Sequence, residues 1–146
     1  MRNERGESLL EVLIAVAIMG IAVVAIMAGL VTSVLISDVH RKQATAGTAV
    51  RDYAEAVQTA VTGGNYVACG TASAYQSAAA FTAPTGYTAT VVSGSMRYWT
   101  GTAWQAACSV DTGLQRLTVQ VASNDGRATE RVDVVLRKPC GLDTSC

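Results

Sequence analysis

The sequence predicts an α+β fold, one long N-terminal helix whose first half can span a membrane, packed on a small antiparallel sheet. Three observations carry that expectation. Residues 12–31 are twenty consecutive positions of apolar side chains and glycine. The chain that follows repeats its apolar residues at helical spacing. Beyond Asn65 the period falls to two, the signature of strands with one buried face.

A helix of twenty residues rises about 30 Å, the thickness of a hydrocarbon core. An ordinary secretory signal has a shorter apolar stretch, ~7–15 residues, ending at a small-residue cleavage site, which residues 25–29 mimic. Arg2 and Arg5 precede the apolar run, and His40, Arg41 and Lys42 follow it, so flanking charge does not set its orientation. Val39, Ala46, Val50, Tyr53, Val57 and Ala60 then fall on one helical face, with Arg41, Lys42, Arg51, Asp52, Glu55 and Gln58 mostly off it. The predicted helix exceeds fifty residues and ends at Thr62-Gly63-Gly64-Asn65, where glycine suits a left-handed cap. Two helices hinged near Thr32-Ser33 or Ser37-Asp38 are the alternative.

Residues 68–84 are small and polar without a clear period, and read as a loop. Tyr87, Ala89 and Val91 alternate with threonines or polar neighbours, as do Leu117, Val119 and Val121, and Val132, Val134 and Leu136, with Val135 alone out of phase. Asn124-Asp125-Gly126 marks a hairpin between the last two strands. Residues 97–104 form a second hairpin around Thr100-Gly101, giving three to five strands in all.

The formal net charge is zero and no basic run occurs, which removes bulk charge as a reason to bind nucleic acid. Four cysteines, Cys69, Cys108, Cys140 and Cys146, lie beyond the apolar run. An even count in a short chain past a membrane segment favours disulfides in an oxidising space, and so places this part outside the cytoplasm. Of the three pairings, Cys69–Cys108 with Cys140–Cys146 is favoured because the last two are close and terminal. No C-x-x-C spacing supports a metal site, and no cofactor motif is present. His40 is the sole histidine and has no identifiable partner for acid–base work, so no catalytic residues are assigned and an enzyme is not expected. Tyr98, Trp99 and Trp104 are the one suggestive surface cluster. Cross-strand packing is the plainer explanation, and for nucleic acid the sequence adds only Arg97 as a nearby cation.

A carboxylate stands at the mouth of the apolar run: the stretch RGESLLEVLIAVAIMG, residues 5–20, places Glu11 directly before Val12. An acid at the edge of a lipid-spanning helix is costly and marks pairing or function, unless it simply lies solvated at headgroup level. With the short polar leader ending in Gly6, then Leu9, Glu11 and an unbroken apolar helix carrying Gly20, this stretch resembles the N-terminal signal of type IV pilins and pseudopilins. The resemblance covers about 30 residues, and the α+β architecture agrees with that family's. It implies cleavage between Gly6 and Glu7 by prepilin peptidase, methylation of the new amine on Glu7, and pairing of Glu11 with the amine of a neighbouring subunit. It departs at Glu7, where the family usually has phenylalanine, and near Ala28, where many members carry a proline.

The resulting domain expectation is a leader at 1–6, a transmembrane and polymerisation helix at 7–36, its amphipathic continuation at 37–63, and an extracytoplasmic β head at 64–146. The implied function is a structural subunit, minor or accessory, of a type IV pilus, competence pilus or secretion pseudopilus. Its partners would be prepilin peptidase, other pilin subunits and the lipid bilayer. The alternative is a single-pass, membrane-anchored extracytoplasmic binding domain that does not polymerise.

Overall fold

The computed structural model describes residues 4–140, with side chains from residue 9 onward. The chain divides into two compact units, Met1–His40 and Arg41–Cys146. Helix α1, Glu4–Ala60, runs through both without interruption, so the two-helix alternative does not apply.

Within the first unit α1 is apolar on every side between Val12 and Val31. Leu13, Val16, Met19, Val24, Met27 and Leu30 are all exposed, as is every other large apolar residue between Leu9 and Ile36. A helix hydrophobic all round either lies within a core or spans a membrane. Among the described residues nothing buries this stretch, and it is long and apolar enough to cross a bilayer. Thr32, near the end of the run, returns its hydroxyl to the Ala28 carbonyl at 3.0 Å, so its polarity is satisfied within the helix.

In the second unit the rest of α1 is amphipathic, as its spacing predicts. Ala46, Val50, Tyr53 and Val57 are buried, joined by Ala49 and Val61, while Arg51, Asp52, Glu55 and Gln58 are exposed. The helix ends in a π-helical turn, Val61–Asn65, in which Gly64 has φ +100°. A side chain there would have space but would force an unfavourable left-handed backbone.

Residues 68–84 depart from expectation. They contain a short helix, α2, Ala72–Ala79, so the head is not purely β. Thr71 caps it, accepting a hydrogen bond from the Ala74 N–H at 3.4 Å, and Ala80 ends it at φ +46°. Its periodicity is invisible in the sequence because only Tyr75 is buried among alanines and serines. The Tyr75 ring sits so close to Gly70 that a Cβ on Gly70 would fall 2.7 Å from it.

Five strands follow: β1 Tyr87–Val91, β2 Arg97–Trp99, β3 Trp104–Gln105, β4 Leu114–Ser123 and β5 Thr129–Arg137. All pairings are antiparallel. β4 is the centre: β5 takes one edge, and β1 and β2 share the other, with β3 beyond β2. Between β1 and β2 the chain loops out, and the Ser95 hydroxyl accepts the Thr118 N–H at 3.0 Å that the ladder would otherwise leave without a strand partner. The β4–β5 hairpin turns through Asn124-Asp125-Gly126, with Gly126 at φ +71°, and the β2–β3 turn places Gly101 at φ +99°. Lys42 of α1 pairs with Asp125 at the first of these turns.

Alternation on β4 buries Gln115, Leu117, Val119, Val121 and Ser123 and leaves the intervening residues half-exposed. The buried side meets Ala46, Val50, Tyr53 and Val57 of α1 and Val61 of the π-helical turn in one core, completed by Val91, Met96, Val134 and Leu136. Val135, out of phase in the sequence, is accordingly 49% exposed.

Candidate functional site

The N-terminal candidates occupy the first turns of α1. Gly6 and Glu7 are helical, and Glu7 and Glu11 stand one turn apart. Glu11 is exposed, flanked by exposed Leu10, Val12 and Leu13. A carboxylate on such a surface is solvated only while its surroundings are polar. Enclosed among apolar helices it requires a partner of opposite charge, because desolvating an unpaired ion costs several kcal/mol.

The cysteine candidates divide. Cys69 and Cys108 form a disulfide with Cα atoms 5.6 Å apart, 39 residues apart in sequence. The companion pairing Cys140–Cys146 involves Cys146, which lies outside the described residues.

Beneath that disulfide is a polar network that sequence reasoning missed. Gln115, fully buried, donates through Nε2 to the Val67 carbonyl at 2.8 Å and to the Tyr66 hydroxyl at 3.0 Å. The Tyr75 hydroxyl lies 3.0 Å from both Gln115 Oε1 and the Val67 carbonyl oxygen. Tyr66 donates to Asp111 at 2.8 Å, and Asp111 also accepts the backbone N–H groups of Gly113 at 2.7 Å and Cys69 at 3.1 Å. Burial works against ionising Asp111. The bonds from Gly113, Tyr66, Cys69 and Gln115 outweigh it and hold the carboxyl below its ordinary value. Burial, reinforced by Asp111, pushes the Tyr66 phenol well up. One signal was available: Gln115 is a polar residue in the inward phase of β4, in line with Leu117, Val119 and Val121.

The aromatic cluster is partly dispersed. Tyr98 points inward, donating to the Gly70 carbonyl at 2.8 Å. Trp99 and Trp104 pair across the β2–β3 hairpin with ring centroids 5.4 Å apart, as cross-strand packing predicts. The sheet also brings up a residue from β4, Arg116, whose guanidinium carbon lies 5.1 Å from the Trp104 ring centroid. His40 is exposed. Among the described residues no group of three or more His, Cys, Asp or Glu side chains is placed to hold a metal ion.

The molecule is thus an apolar, membrane-length helix with an acid at its mouth, continuing into a disulfide-bonded α+β head. Residues 1–27 match the family described as the prokaryotic N-terminal methylation motif. The matched segment contains Gly6, Glu7 and Glu11 and ends within the apolar run, and the head lies outside it. The N-terminus therefore carries a type IV pilin-like prepilin signal. No curated protein and no solved structure matches the chain.

Proposed function

We propose that this chain is a structural subunit, minor or accessory, of a type IV pilus or related pseudopilus. The observation that carries the reading is the methylation motif over residues 1–27, in register with Gly6, Glu11 and a helix that is apolar on every side. Prepilin peptidase removes residues 1–6 at the cytoplasmic face, and the new amine on Glu7 is methylated. Residues 7–36 hold the subunit in the bilayer and later form the packed stem of the filament. Residues 37–63 continue the helix into the head, and 64–146 form the extracytoplasmic remainder. The Cys69–Cys108 disulfide supports that placement, because such bonds persist in oxidising compartments. A second bond, Cys140–Cys146, would staple the tail.

Assembly exchanges lipid for helix contacts, in which Ala, Gly and Val faces pack closely. Glu11 pairs there with the N-terminal amine of a neighbouring subunit. Such a buried pair adds little net stability, yet it fixes the register of otherwise featureless apolar helices.

The deciding experiment is intact mass spectrometry of the membrane-derived protein from cells with and without a prepilin peptidase. A peptidase-dependent N-terminus at Glu7, bare or singly methylated, is the expected result. A chain still beginning at Met1 in both would make it an anchored binding domain that never enters a filament.

A further inference from the structure

The helix α1 covers one face of the sheet, and strand pairing determines what the other face displays. Arg97 of β2 lies directly opposite Arg116 of β4, and Arg116 is opposite Val135 of β5. In the adjacent rows Trp99 faces Trp104, and Leu114 faces Arg137. Like charges directly opposite one another destabilise a sheet. Neither arginine is neutralised by a carboxylate among the described residues. Arg97 donates to the carbonyls of Gly94 and Met96, at 2.8 and 2.7 Å, and Arg116 lies over Trp104. Along this face β2, β4 and β5 present four arginines, the fourth being Arg131, against one acid, Asp133, which already accepts the Thr118 hydroxyl at 2.6 Å. In a chain of zero formal charge, this is a concentrated positive face built around two indoles.

We infer that this open face binds single-stranded nucleic acid. Bases stack on the indole of Trp99 and on the Trp104–Arg116 layer, and Arg97, Arg116 and Arg137 meet the backbone phosphates. Planar guanidinium groups bind phosphate through paired N–H bonds, and aromatic rings take any base by its flat face. A duplex keeps its bases stacked and offers the rings nothing, and an acidic polysaccharide has no comparable flat face. The site lies wholly within the head, so it stands whether or not the chain enters a filament. The strand pairing that assembles it is non-local: Arg116 and Arg137 are distant in sequence from the tryptophans.

The test is fluorescence anisotropy on the full-length protein in detergent micelles, titrated against a short fluorescein-labelled oligothymidylate. Saturable binding is expected, weakened about tenfold or more by Arg97→Gln with Arg116→Gln. The salt dependence of log K should flatten by about 0.7 per arginine removed. Trp99→Ala should weaken binding about fivefold or more. The double arginine variant relieves a repulsion but gives up the Arg97 bonds to Gly94 and Met96 and the Arg116–Trp104 contact, so thermal melting checks that it folds. Arg51→Gln, which removes one positive charge from the exposed side of α1, should bind as the parent does. Absence of saturable binding would overturn the inference, as would an equal loss in Arg51→Gln. So would a duplex of the same length binding as tightly, or polygalacturonate displacing the probe as well as unlabelled oligothymidylate does.

Discussion

Asp111 shows how a single carboxylate can hold a loop. It receives Gly113, Cys69 and Tyr66 at once, and so ties the disulfide-bonded turn to the end of β4. Its pKa is lowered on folding, whereas an unfolded aspartate titrates near ~3.9. Its stabilising contribution is therefore complete above about pH 4 and is lost as pH falls through the lower folded value. Asp111→Asn should cost about 1 kcal/mol at neutral pH, the low end for charged hydrogen bonds because this carboxylate remains partly solvated. It should also flatten the acid side of the stability profile, which thermal melts between neutral and acid pH would show. Tyr53 presents the opposite case. Its ring stacks on Phe81 with centroids 4.9 Å apart, but its buried hydroxyl has no hydrogen-bond partner among the described residues. Tyr53→Phe keeps the ring and removes the orphan, so stability should rise by about 1 kcal/mol, read as a higher Tm. No change, or a fall, would mean the hydroxyl is satisfied in solution.

At the level of elements, the Cys69–Cys108 bond closes a long stretch of chain containing α2, β1, β2 and β3. These elements are short, and none of them has the length of β4 or β5. Closing a loop of this size removes conformational freedom mainly from the unfolded chain, worth roughly 4 kcal/mol. Replacing both cysteines by serine should lower the head's stability by about that amount, measured by denaturant melts of the full chain in detergent. The long hairpin β4–β5, which needs no such staple, should lose amide protection last in hydrogen exchange. Equal protection across all strands would show that the disulfide is not what holds the smaller ones.

For the whole molecule, the proposed assembly role predicts a separation between insertion and polymerisation. Membrane insertion depends on the apolar run, and Glu11 contributes nothing favourable to it. Glu11→Gln should thus leave membrane anchoring and removal of the leader intact while abolishing incorporation into sheared filaments. Immunoblots of the membrane and filament fractions measure both. Normal incorporation of Glu11→Gln would remove the proposed role of the carboxylate.

The sequence by itself determined what depends on local order. The membrane-length helix follows from an uninterrupted apolar run, its amphipathic continuation from spacing, its end from Gly63-Gly64, and the strands from period-two alternation that even predicted the exposure of Val135. The N-terminal signal was equally legible, because it is a linear motif over residues 1–27. Helix α2 was not legible, since a single buried tyrosine among small residues carries no period. Nor was the network joining Tyr66, Tyr75, Asp111 and Gln115, or the juxtaposition of Arg97, Arg116 and the two tryptophans. Those depend on which strand edges meet and in what register, and register is decided only when distant segments bury a common core.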